Sequence, residues 1–147
     1  MGQEDRAAMA PRVTTIGLLA AALWAVGCGG PMEPQELARS IQTLQSSAAD
    51  GVLLANGVAR DRTKTTFVRV HARELGEIVD HEAEKLSDAD ANGEVALRKS
   101  QAVDLANKIS QSLGQLQVAP GDESGARSAE GQLRSEAQRA SRLADSL

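Results

Sequence analysis

From Leu37 onward, apolar residues return at alternating spacings of four and three: Leu37, Ile41, Leu44, Ala48, Gly51, Ala55 and Val58. Residues three and four apart share one helix face, so this spacing predicts the seam of a packed helix. The seam tapers from large side chains to small ones, and a neighbouring backbone is expected to approach closely near Gly51 and Ala55. Gly51 and Gly57 each cost about 1 kcal/mol relative to alanine in a helix, which makes a kink or an early end a second expectation there. Residues 60–66, Arg-Asp-Arg-Thr-Lys-Thr-Thr, break the pattern and read as a helix-to-helix turn in which Thr65 or Thr66 caps the next helix.

A second stripe runs through Val68, Ala72, Leu75, Val79, Ala83 and Leu86, with Phe67 and Ile78 widening it. Residues 87–93, Ser-Asp-Ala-Asp-Ala-Asn-Gly, form another turn, because short polar side chains that bond local backbone favour turns and caps over helix interiors. The third stripe is Val95, Ala102, Ala106, Ile109, Leu113 and Leu116. Three helices of roughly 20 to 25 residues with short turns predict an all-α, antiparallel three-helix bundle with coiled-coil-like seams over residues 36–118. After a Pro-, Gly- and acid-rich linker at 119–125, Ala129, Leu133, Ala137, Ala140, Leu143 and Leu147 return at helical spacing over residues 126–147. The apolar members of that tail are half alanine, which predicts a polar, loosely packed fourth helix. Such seams pair between chains as readily as within one, so an oligomer is compatible with them.

The first 27 residues have a different character. Residues 13–27 carry no charge, follow Arg6 and Arg12, and run directly into the only cysteine, Cys28. A helix that spans a bilayer needs about 20 apolar residues, so this shorter run suits the apolar region of an export signal better than a membrane anchor. The segment Ala25-Val26-Gly27-Cys28 resembles the lipobox of bacterial lipoproteins, with Ala25 where leucine is more usual. The resemblance is confined to this targeting segment. It implies a signal peptide at 1–27, cleavage between Gly27 and Cys28, and a diacylglyceryl thioether on Cys28 whose new amino group is often acylated as well. Gly29 rather than aspartate after the cysteine implies, by the same resemblance, outer-membrane sorting in a Gram-negative cell and the cell membrane otherwise. Glu4 and Asp5 offset Arg6 and Arg12, and initiation at Met9 would give a more compact basic start. Lipidated Cys28 and a flexible linker would then occupy residues 28–35, a reach of at most about 27 Å, with Pro34 able to open the first helix.

Composition narrows the function. Two aromatic residues, Trp24 and Phe67, and a formal charge of −4 argue against base-stacking platforms and a basic nucleic-acid face. One cysteine allows no internal disulfide and no cysteine-built zinc site. No Gly-x-Ser-x-Gly elbow, phosphate-binding glycine loop, His-Glu-x-x-His helix or dinucleotide fingerprint occurs, and the expectation is a protein that is not an enzyme and has no cofactor. Asp88, Asp90, Asn92 and Gly93 match the first positions of a calcium-binding loop, but the twelfth position, where a bidentate glutamate belongs, is Lys99. A capped polar turn is therefore expected. His71, Glu74, Glu77, Asp80, His81 and Glu84 lie along one helix without the paired Glu-x-x-His motifs of carboxylate-bridged metal bundles, so no metal site is assigned. The alternative reading is a helical metal-binding or sensing lipoprotein that uses this acidic helix or the Asp88–Gly93 loop.

Charge distribution carries more information. Residues 58–73 hold five bases and one acid, and residues 74–94 hold eight acids and one base. That order opposes the helix macrodipole, which favours acids at a helix start and bases at its end. In an up-down bundle tethered at Cys28, the basic turn would lie about 35 Å from the membrane and the acidic turn near the lipid. Arg60, Arg62, Lys64 and Arg69 are then the candidate interaction tip, with an anionic envelope polymer or an acidic protein as partner. The reading as a whole is an exported, lipid-anchored, non-catalytic structural or interaction module held at a membrane through Cys28.

Overall fold

The computed structural model describes residues 30–147. The expected signal peptide, the Gly27–Cys28 cleavage site and the lipid attachment at Cys28 lie outside the described residues. Four helices follow one another: α1 (Pro34–Ala59), α2 (Thr65–Asp88), α3 (Gly93–Val118) and α4 (Glu123–Ala144). No helix among the described residues is long and apolar enough to cross a membrane. The fold is an all-α bundle. α1 packs most extensively on α4 and α2 on α3, while α2 and α4 stand across the longer diagonal without packing on each other.

Each adjacent pair carries a polar cross-link. Lys85 Nζ donates to Ser40 Oγ (3.1 Å) between α1 and α2, and Ser110 Oγ donates to Asp80 Oδ1 (2.7 Å) between α2 and α3. Ser112 Oγ donates to Gln132 Oε1 (3.0 Å) between α3 and α4, and Asn56 Nδ2 donates to Glu130 Oε1 (3.2 Å) between α1 and α4. Apolar burial, at about 1.5–3 kcal/mol per large side chain, supplies the drive to pack, while these directional bonds discriminate one register from another.

The α1 seam is buried at all seven expected positions. The helix runs through Gly51 and Gly57 to Ala59 without the early end that two glycines invite. Gly51 has a packing reason: a Cβ there would stand 2.9 Å from Leu113 Cδ2 and 3.0 Å from Leu133 Cδ1. Side chains of α3 and α4, rather than a neighbouring backbone, use the space. Pro34 opens α1, and the Glu33 N–H reaches Glu36 Oε2 in the first turn.

Two expectations change. Phe67 (52% exposed) and Ile78 (46%) do not widen the core stripe of α2; with Leu53 of α1 (72%) they form an outward apolar face. α2 buries only Val68, Ala72, Val79 and Leu86, because α1 covers it less extensively than α3 does and residues off that line stay wet. The fourth helix is seated more closely than its alanine content suggests. α4 begins at Glu123, ahead of residue 126, because the Asp122 side chain accepts the Ser124 N–H (3.0 Å). Ala126, Ala129, Leu133, Glu136 and Ala140 are all buried, and the small residues let α4 lie close against α1.

Candidate functional site

The four bases of the candidate tip gather at one end of the bundle, and the local sequence explains how. α1 stops at Arg60, after which the Asp61 N–H donates to the Val58 carbonyl and the Arg62 N–H to the Gly57 carbonyl, both at 2.9 Å. These two bonds form a Schellman cap, with Asp61 in the left-handed position (φ 51°) that glycine usually takes. The loop then folds back on α1. Thr63 lies over Gly57, where a Cβ would collide with Thr63 Oγ1, so the glycine permits this close approach.

Arg60, Arg62, Lys64 and Arg69 are all exposed, and none of the four makes an ion pair among the described residues. Lys64, not Thr65 or Thr66, is the N-cap of α2, and no side chain caps that end. Thr63 packs on Gly57, which draws the loop back so that the two threonines already lie inside the helix. The first turn of α2 contains no acid, so its free N–H groups face bases. That arrangement costs local stability.

The sequence pattern alone does not show that α3 ends beside this loop. A Cβ at Gly121 would stand 3.3 Å from the Thr65 methyl, which places the end of α3 beside the start of α2, and Pro120 is buried. Asp122 and Glu123 therefore join the same end of the bundle. Asp122 accepts the Ser124 N–H at the start of α4, and Glu123 pairs with Arg127 at 2.9 Å. Asp122 is engaged as a cap and Glu123 in an ion pair, while exposed Asp61 stands among the bases without an ion pair among the described residues, so Arg60, Arg62, Lys64 and Arg69 leave this end with an excess of positive charge.

The opposite end is built from acids. The 87–93 turn presents Asp88 and Asp90 on its surface, exposed Glu94 follows in the first turn of α3, and Gly93 takes a positive φ of 54°. Lys99 is drawn into this turn: its Nζ donates to the carbonyls of Ala89 (2.7 Å) and Ser87 (3.4 Å), while Arg98 pairs with Glu94 at 3.1 Å. The ammonium thus occupies carbonyls that the end of α2 leaves without helical partners. His71 pairs with Glu74 at 3.0 Å and stacks edge-on against Phe67, and His81 is exposed. Among the described residues no three His, Cys, Asp or Glu side chains converge on a metal-sized site.

The N-terminal linker meets the acidic end. Met32 is buried, and its N–H donates to the Asp90 carbonyl at 2.7 Å. α1 has 26 residues, so the basic loop lies about 39 Å along the bundle from this junction. No protein family, curated protein or solved structure was found to match the chain.

Proposed function

We propose that this chain is an exported bacterial lipoprotein, cut between Gly27 and Cys28 and lipidated on Cys28, whose helical bundle is a non-catalytic interaction module. Its working surface is the basic end, Arg60, Arg62, Lys64 and Arg69, and its partner is an anionic envelope polymer or an acidic protein. The observation that carries this reading is the Met32–Asp90 backbone bond, which brings the chain into the bundle at the acidic end, only four residues after Cys28. A lipid at Cys28 would hold the acidic end near the bilayer and direct the basic end outward. Acidic residues near anionic lipid also oppose the bundle lying flat. Bases placed against the dipole of α2 weaken the helix while leaving four cations free, as expected of a surface kept for binding.

The test has two arms. Cys28→Ser is expected to remove lipid labelling and release the protein from the membrane fraction, and unchanged labelling would defeat the anchor. Replacing Arg60, Arg62, Lys64 and Arg69 with glutamate is expected to leave the anchor intact and abolish salt-sensitive co-purification with envelope material. Retention unaffected by that reversal would remove the basic end from the account.

A further inference from the structure

α1 and α2 pack on each other less extensively than α1 on α4 or α2 on α3, and an open groove runs between them. Asp50 and Leu75 line both of its halves, so the groove is continuous from Thr63 in the basic loop to Ile78. The half under the loop encloses about 310 Å³ and is lined by buried Leu54 and by exposed Leu53 and Phe67. Seven large apolar side chains are exposed among the described residues. Three of them, Leu53, Phe67 and Ile78, line this one groove, and the others are spread over α2, α3 and the C-terminus. Clustered apolar exposure marks an interaction surface, whereas single exposed residues need no explanation.

The excess charge of the groove lies at one end. Thr63, which lines it, sits in the chain between Arg62 and Lys64, and neither of these bases nor Arg60 makes an ion pair among the described residues. Farther along, Arg39 and Asp50 offset each other, and His71 is tied to Glu74 at 3.0 Å. An anionic polymer without apolar groups would match the bases and leave Leu53, Phe67 and Ile78 in water. An extended segment would bury backbone N–H and C=O groups against two helices whose own backbones are already paired. A helix carries its backbone bonds internally and lays its side chains between those of its neighbours. Phe67 and Ile78 are separated by about 17 Å of α2, the length of three helical turns.

We propose that the α1/α2 groove receives an amphipathic helix of an acidic partner protein, with its apolar stripe on Leu53, Phe67 and Ile78 and acids at one end meeting Arg60, Arg62 and Lys64. This names the partner of the basic end and rests on the reading of that end as a binding surface. The test is fluorescence anisotropy of labelled synthetic peptides added to the full chain on vesicles of anionic phospholipid, which repel acidic peptides, with empty vesicles as the blank. The first probe is a helix of about 18 residues, long enough to hold its structure, with leucines on one face and glutamates in its first turn. The second has the same composition with the leucines spread around the helix, and the third is polyglutamate of the same length. The first is expected to bind saturably and the other two at least tenfold more weakly. Leu53→Asp and Ile78→Asp, exposed changes that leave the core alone, should each weaken the first probe at least tenfold and leave polyglutamate unchanged. Changing Arg60, Arg62 and Lys64 to glutamate should weaken both. Polyglutamate bound as tightly as the first probe, with Leu53→Asp and Ile78→Asp without effect, would overturn the groove and leave the basic end standing as a polymer-binding surface. Binding of the first probe that ignores the charge reversal would also overturn the proposal, and polyglutamate binding that ignores it would take the reading of the basic end down as well. Absence of binding of the first probe up to about 1 mM, the weak end of specific recognition, would overturn the proposal too.

Discussion

The two ends of the bundle handle their cations in opposite ways. At the acidic end Lys99 is spent on the protein itself, bonding the Ser87 and Ala89 carbonyls, while Met32 closes the turn from below. At the basic end the loop is organised by backbone bonds and by Thr63 seated on Gly57, and the side chains of Arg60, Arg62, Lys64 and Arg69 make no ion pair that holds it among the described residues. One end uses charge to stabilise the fold and the other holds charge in reserve. Clustered charge alone does not identify a binding surface; the informative property is whether those charges are already committed to intramolecular partners.

This contrast can be broken at either end. The largest effect is expected from Lys99→Met, which removes bonds from a charged donor to two carbonyls. Such bonds contribute about 1.5–3 kcal/mol, so urea unfolding should show a loss of about 2 kcal/mol. An equivalent change at the basic end, Arg62→Met, should leave the unfolding midpoint unmoved. Next comes Gly57→Ala. Helix propensity alone would stabilise it by about 1 kcal/mol, yet the new Cβ collides with Thr63 Oγ1, and a net loss of about 1–2 kcal/mol is expected. Adding Thr63→Ala should recover that loss, and a double-mutant cycle measures the coupling.

Two smaller changes separate stability from binding at the basic end. Lys64→Asp supplies the missing N-cap and a charge of the favourable sign, and should stabilise the bundle by about 1 kcal/mol while weakening its retention on anionic envelope material. Asp61→Gly relieves the left-handed residue and should stabilise by about 0.5–1 kcal/mol, and by removing an acid from the loop it should strengthen retention. Thermal melts and binding to an anionic resin check both. Retention that followed stability rather than charge would mean that the basic end is not the binding surface.

Much of this fold is legible in the sequence because apolar spacing of three and four has few other interpretations. The α1 seam, the turn positions and the existence of a fourth helix all follow from it. What spacing cannot supply is the number of neighbours on each side. Leu105 lies beside the expected stripe of α3 and is buried because α3 contacts helices on both flanks. Phe67 and Ile78 flank the stripe of α2 and are exposed because α1 leaves that side open. In α4 the spacing Ala126, Ala129, Leu133, Glu136, Ala140 is the one that is buried, although hydrophobicity favours Ala137 over Glu136. A charged residue sitting on the buried period is a signal of Glu136's burial that the sequence holds. Met32 and Pro120 lie in segments that read as linkers, and their burial depends on tertiary contacts with no local signature.

At the candidate tip, the sequence shows the run of bases but not their freedom from partners. It likewise places Lys99 at the twelfth position of a calcium-like loop without revealing that the ammonium has taken over the turn's carbonyls. Both facts depend on where helix ends meet in space.

The central claim is orientation, with the acidic end at a lipid surface and the basic end directed away from it. Because Cys28 is the only cysteine and is consumed if lipidated, Asp90→Cys and Arg62→Cys each introduce a single reactive thiol into the anchored protein. Each variant, labelled with a donor fluorophore on vesicles containing a membrane-embedded acceptor, reports its distance from the bilayer. Strong energy transfer from position 90 and weak transfer from position 62 is the expected result. Equal transfer from the two positions, or stronger transfer from position 62, would contradict it.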